Sequence, residues 1–550
     1  MNIRFPRPAP PEYDVSAAQQ TSQAERIKSA TTNWAKNGYG TPVTAVLFYL
    51  IKLICFVAGW YLCLSFNASA PLLSTPASWF THTCFLKTII WAMSFEILGL
   101  GCGSGPLTGR YWPPIGGFRY FLRVGMIRLP LFGAAKLYTR TRLDVTLYTL
   151  FIALVIWALC APEVDPLNVS LLVTILAVMT LRDKTLFLAA RGEHYWVMLM
   201  CLTSTDHWFT GIVLVQLAIW LWAALSKFTV HFPFVITVMM SNAPWQWLSK
   251  LRRRMYRRYP NDLRPSVVAH HLSKLGTVVE IAFPVMLVMG DGGAVTQVAL
   301  SLMVLFHLFI IMNVPMGVPL EWNLVMIYGG FFCFGGMYQA PLSAPDAPLS
   351  VLLFITIILL PLLGNLYPSR VSFLPSMRYY AGNWAYSIWL FKGPSSERLQ
   401  TEFSPPSKSP KVQLEALYDP DVAQAALESV IAFRSMHLHG RVLHTAVSRA
   451  VDDLSDYEWL DGEIIAGWLL GWNFGDGHLH DHRLLAAVQH KCNFASGELR
   501  CIFVESQPIH KSNLDWRVFD AHDGLLSQGS CSSHDLRLRQ PFLETNDRAK

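Results

Sequence analysis

Three histidines and two acids stand within seven residues at Asp476-Gly477-His478-Leu479-His480-Asp481-His482, and 10 of the chain's 17 histidines lie beyond residue 391. Imidazole is the commonest side-chain ligand for zinc, and alternate spacing places His478, His480 and His482 on one side of an extended segment. With Asp476 they are the candidate metal ligands. A competing reading comes from RLLAAVQHK directly afterwards, which is a predicted helix. On that reading Asp481 caps the helix and the histidines are surface groups.

A second group of reactive side chains lies in apolar surroundings. Arg191, Glu193 and His194 precede YWVMLMCL, Lys227 follows WLWAAL, Glu280 sits in VVEIAFPVML, and His307 sits in FHLFIIMNV. Ionisable groups inside a bilayer are expensive, and each is a functional candidate for that reason. A lysine whose ammonium is desolvated holds its proton less tightly and can serve as a base near neutral pH. Lys227 is therefore the candidate base, with His194 and Glu280 as polarising or proton-relay partners and His307 as a further member. The alternative is that these residues only knit helices together.

The composition says what must position them. Of 550 residues, 52% are apolar and 15% charged, with 19 Trp and a mean hydropathy of +0.33. A soluble enzyme carries about a quarter charged residues, so a multi-pass membrane protein is expected. The first 391 residues are net +13, whereas residues 392–550 hold 16 Lys+Arg against 22 Asp+Glu and are net −6. Ten apolar stretches are long enough, or nearly so, to cross a bilayer. They cover 42–66, 84–103, 143–161, 167–181, 186–202, 209–226, 274–289, 294–314, 322–338 and 349–367. With the N-terminus inside, the five outer loops contain no Lys or Arg, while the clusters at 105–142 and 252–258 fall on the inner side.

The expected architecture is an all-α polytopic membrane bundle of about ten helices with a small cytoplasmic α+β C-terminal domain, both termini being cytoplasmic. Its parts are an N-terminal segment (1–41), the helical domain (42–391), a Pro/Ser-rich linker (392–411) and a soluble domain (412–550). Segment 229–240 contains a proline, is too short to cross, and is expected at the membrane surface. The run RRRMYRR sits where an inner anchor is needed, so anionic lipid headgroups rather than nucleic acid are its expected partner.

The order RGEHYWVMLMCL, WLWAALSKFTVHFP, VVEIAFPVML and FHLFIIMNVPMGVPLEWNLVMI resembles the membrane domain shared with vitamin K-dependent γ-glutamyl carboxylases, over roughly residues 140–340. The resemblance implies that Lys227 is the base toward a quinone cofactor and that His194 supports catalysis, with His307 matching a histidine of a later helix. The carboxylases' large lumenal β-rich region has no counterpart here, so carboxylation of a secreted protein is not expected. CGSGPLTGRYWPPIGG, RGEHYW and GWNFGDGHLHDHRLLAAVQ together resemble an uncharacterised family of microbial multi-pass proteins, domain-of-unknown-function family thirty-five fifty-six. The function expected is a membrane-embedded enzyme acting on a lipidic or quinone-like substrate. Alternatives are a transporter or channel for a small molecule, or a membrane scaffold with a cytoplasmic interaction domain.

Overall fold

In the computed structural model, residues 13–38, 43–65, 76–132, 138–204, 206–242, 249–313, 319–336, 338 and 342–542 are described. After a short helix over Val15–Gln19 comes an amphipathic helix, α1 (Gln23–Asn37), which the Ser22 side chain caps by accepting from Glu25 N. Apolar helices follow: α2 (Val43–Ser65), α3 (His82–Ile97), α4 (Arg142–Cys160), α5 (Pro166–Arg182), α6 (Lys184–Ala189), α7 (Tyr195–Leu202) and α8 (Trp208–Ser226). Then come α9 (Phe232–Asn242), a hairpin of β1 (Tyr256–Arg258) and β2 (Asp262–Pro265), and α10 (Val267–Met289), α11 (Ala294–Met312) and α12 (Leu320–Phe334). The last apolar helix, α13, spans Ala347–Leu366 with a wider π turn over Phe354–Leu359.

Six of these helices, α2, α4, α8, α10, α11 and α13, are long and apolar enough to cross a membrane. The ten expected spans are therefore not all realised as long helices. The stretches 84–103, 167–181 and 322–338 form the shorter helices α3, α5 and α12. The stretch 186–202 is not one helix, because its RGEH quartet breaks it into α6 and α7. The outer faces are apolar and bare, with Leu62 65% and Val288 63% exposed, as a lipid-facing surface requires. By contrast α8 has the largest buried share of the six and runs through the bundle centre.

The C-terminal part is an antiparallel five-stranded sheet in the order β4-β3-β5-β6-β7, formed by β3 (Tyr386–Lys392), β4 (Tyr457–Asp461), β5 (Leu499–Val504), β6 (Asn513–Asp520) and β7 (Gly524–Ser532). Six of seven β3 residues are buried, so this strand lies in the core of the sheet. The predicted linker is not an extended tether: Glu397–Phe403 and Pro410–Glu415 are helical, and the sheet already begins at Tyr386. Helices α14 (Pro420–Met436), α15 (Gly462–Leu470) and α16 (His482–Cys492) complete the domain.

Domain and bundle are closely joined. Arg26 of α1 pairs with Glu428 of α14 at 2.7 Å, and the Trp34 ring lies 5.3 Å from Phe433. The N-terminal helix and the C-terminal domain therefore sit at one end of the bundle. The expected interfacial segment 229–240 forms the short helix α9, which packs between the bundle and the C-terminal domain. Within α9, Phe232, Phe234, Val235, Val238 and Ser241 are buried, and Phe234 lies under the Arg441 guanidinium of the C-terminal domain. The Gly/Pro-rich turn 99–117 is clamped in the same way. Arg110 donates to carbonyl oxygens of Gly103, Gly467 and Gly471, and Gln413 Oε1 accepts from the amides of Tyr111 and Trp112 at 2.9 Å. A Cβ at Gly103 would lie 2.2 Å from the Trp472 ring, so only glycine lets the two parts approach this closely.

Candidate functional site

Successive residues on a helix point about 100° apart, so neighbours in sequence serve different partners. The first turn of α12 uses this three times. Glu321 Oε2 lies 3.3 Å from Lys52 Nζ of α2, and that ammonium also donates to Gly101 O at 3.1 Å. Trp322 Nε1 donates to His194 Nδ1 at 3.0 Å. Asn323 Oδ1 is 2.8 Å from His307 Nδ1, while His307 Nε2 accepts from Trp220 Nε1 at 3.0 Å. Those two contacts fix His307 as the neutral ring with its proton on Nδ1. The same logic puts the proton of a neutral His194 on Nε2, which has no hydrogen-bond partner.

Of the four predicted catalytic residues, Lys227 and Glu280 meet directly. Lys227 ends α8 and donates to both Glu280 oxygens at 2.6 Å across to α10. A lysine held this way is a paired ammonium rather than a free amine. His307 sits on α11 in its own contact with Trp220 and Asn323. His194 belongs to a different assembly, linked to His307 through the α12 turn.

That assembly surrounds Arg191. This residue occupies the left-handed backbone region (φ 52°), which costs a non-glycine residue about 1–2 kcal/mol. Its Nε lies 3.1 Å from Glu193 Oε1, and Nη1 is 3.8 Å from Cys102 Sγ. The guanidinium carbon rests 5.1 Å from the Trp322 ring, 5.4 Å from Tyr379 and 5.8 Å from Phe474. Tyr379 donates to Glu193 at 2.9 Å, and Glu96 Oε2 accepts from Cys102 N at 2.9 Å. Gly101 fits between two acids here: a Cβ would meet Glu96 Oε2 at 2.0 Å and Glu321 Oε1 at 2.7 Å.

Arg191 opens onto a cavity of about 70 Å³ between bundle and domain. A single water needs roughly 10–15 Å³ on this measure, so the space takes a larger group. Trp322, Val235 and Met239 line it from the bundle; Phe373, Tyr379, Tyr380 and Trp384 line it from the connecting segment; Phe433, His437 and Phe474 from the domain. Arg434 and Glu463 lie on the domain wall, where Arg434 pairs with Asp461 at 2.7 Å and with Glu463. Sequence reasoning found Arg191 but missed the aromatic walls. Their signal was the aromatic density of SMRYYAGNWAY between the last apolar helix and the soluble domain.

The three histidines of the string go to separate partners. His478 Nε2 lies 3.1 Å from Glu505 Oε1 and its Nδ1 3.8 Å from Asp476, His480 Nδ1 is 2.7 Å from Ser387 Oγ, and the His482 ring stacks on Phe519. Among the described residues no three His, Cys, Asp or Glu side chains are placed to hold a metal ion. Asp481 accepts from Arg483 N at 2.8 Å and caps α16. Burial lowers the affinity of His478 for a proton, but the Glu505 carboxylate, its hydrogen bond and Asp476 outweigh this and raise the His478 pKa. Burial pushes Glu505 up, yet His478 holds it below the ordinary carboxylate value.

Long apolar helices around buried ion pairs define a multi-pass membrane protein. The chain matches the family of transmembrane proteins of unknown function (DUF3556) over residues 3–549, and it belongs to that family. No curated protein and no solved structure matches it, and none of these comparisons links it to the carboxylases.

Two outcomes follow from the geometry. Replacing Lys227 by Met or Glu280 by Gln leaves one buried charge alone and destabilises the protein by about 3–5 kcal/mol, whereas Lys227→Met with Glu280→Leu recovers most of the loss. Thermal unfolding in detergent reads this, and additive losses would contradict it. For His478–Glu505, the raised His478 pKa means its contribution is full below 6.5 and fades as pH rises through the folded value. The lowered Glu505 pKa means its part is full above 4.5 and fades as pH falls through its folded value. Glu505→Gln therefore costs about 1.5–3 kcal/mol at pH 6 and clearly less at pH 9 in denaturant unfolding.

Proposed function

We propose that the protein is a membrane-embedded enzyme acting on a lipidic or quinone-like molecule whose head occupies the cavity between bundle and C-terminal domain. The observation that carries this reading is the Arg191 guanidinium, fully buried and facing an aromatic-walled space too large for a single water. A fixed cation in a water-poor site stabilises negative charge that develops on a substrate oxygen. His194 adjoins through Trp322. Lys227, Glu280 and His307 lie beyond the α12 turn, where they act as a second layer that holds protons and fastens helices. We place both termini in the cytoplasm, since α1 docks on α14 and the basic runs of 105–142 and 252–258 favour the inner leaflet.

A transport reading draws on one observation, the break between α6 and α7 at the charged quartet, because transporters bind cargo at interrupted helices. The docked domain over the cavity favours a binding chamber instead.

Native mass spectrometry of the protein extracted with its lipids tests the proposal. One apolar molecule is expected to remain bound to the wild type. Val235→Phe, which fills the cavity from the α9 side, is expected to release it by tenfold or more. Retention by Val235→Phe, or no molecule above bulk lipid on the wild type, would overturn it.

A further inference from the structure

The cavity's polar groups divide sharply. Tyr379 and Trp322 spend their donors on Glu193 and His194, Arg434 spends its own on Asp461 and Glu463, and Glu463 also accepts from Gly475 N. Apart from Arg191 Nε, which stands 3.1 Å from Glu193 Oε1, three buried donors on residues of the same lining have no partner: Arg191 Nη2, the Tyr380 hydroxyl and Trp384 Nε1. Buried donors left unmade cost about 1–3 kcal/mol each, so three around one hollow call for an acceptor.

Charge decides which acceptor. Arg191 is already paired with Glu193, and Arg434 with both Asp461 and Glu463. Two guanidinium groups thus face three carboxylates, and the next layer repeats the excess, with Lys52 against Glu96 and Glu321. A carboxylate or phosphate head entering here would add a further negative charge beside cations already paired with carboxylates, at low dielectric. A neutral oxygen would not. The walls are flat rings, which pack best on a flat body.

The geometry points to a site for a neutral, planar, carbonyl-bearing apolar molecule, its oxygens taking up the unpartnered donors of Arg191, Tyr380 and Trp384 around the cavity, and not for an anionic lipid head. The inference rests on the proposed function in taking this cavity as the ligand site. Tyr380 and Trp384 are its specificity-determining residues.

Three probes separate the outcomes, applied to the full-length protein in lipid nanodiscs with bound fraction read by native mass spectrometry. Decylubiquinone carries ring carbonyls without charge, decanoate is an anion, and decylbenzene has a ring and tail but no oxygen. Decylubiquinone is expected to bind at least tenfold tighter than either of the others. Tyr380→Phe keeps its ring and Trp384→Phe keeps one aromatic ring, and each removes one donor, so each weakens decylubiquinone at least about fivefold, the factor for one neutral hydrogen bond. Tyr380→Phe leaves decylbenzene unchanged, and Trp384→Phe weakens decylbenzene less than decylubiquinone. Tightest binding by decanoate, or equal binding of decylubiquinone and decylbenzene, would overturn the inference while leaving the cavity as the ligand site. Failure of all three to saturate, with Val235→Phe indistinguishable from wild type, would overturn the cavity reading itself.

Discussion

A charge that cannot reach water has to be neutralised where it stands, and this chain buries many. Arg191, Arg434, Lys52 and Lys227 are all inside, each beside a carboxylate. A buried pair adds little net stability over an apolar filling, but breaking one is costly, so the pairs act chiefly as constraints on which surfaces may meet. They explain why α8 and α10 are fixed to one another and why the first turn of α12 is held to α2, while neutral hydrogen bonds of Asn323 and Trp322 tie the same turn to α11 and to the α6–α7 break. The same constraint reaches across the junction. Arg110 of a membrane-side turn finishes the carbonyl ends of α15 in the domain, and Lys184 donates to His478 O at 2.7 Å.

The consequence is a protein in which the C-terminal domain is part of the site. Bundle residues supply one wall and the cation, the segment after α13 supplies most of the rings, and α14 with the turn after α15 closes the far side. Holding Arg191 in a left-handed backbone conformation carries a local cost, which persists only because three rings and Glu193 determine its position. The glycines of turn 99–117 serve the same end. Gly101 and Gly103 admit carboxylates and an indole at distances no side chain would allow.

Much of the helical architecture was legible in the sequence, because hydropathy over long runs is a strong signal in a medium that forbids unsatisfied backbone. The runs behind α2, α4, α8, α10, α11 and α13 read as spans for that reason. The shorter helices α3, α5 and α12 were less legible, since a buried helix in a bundle is as apolar as a crossing one. β6 alternates apolar and polar residues in LDWRVFD, whereas β3, covered on both faces, reads as a continuous apolar run and merged with the membrane part. For the site, intramembrane charge pointed to Lys227, Glu280, His194 and Arg191. It could not reveal that Lys227 is sequestered by Glu280 while Arg191 faces open space, because pairing depends on which helix faces which. Tyr380 and Trp384 carried no charge signal at all.

The central claim is that the hollow walled by Trp322, Tyr379, Tyr380 and Trp384 exists to hold a molecule. A cryo-electron microscopy map of the protein in native-lipid nanodiscs tests it most directly. The account predicts a flat, non-protein density among those rings, in contact with the Arg191 guanidinium. Rings that close over one another with no room between them, with extra density beside Lys227 instead, would contradict it.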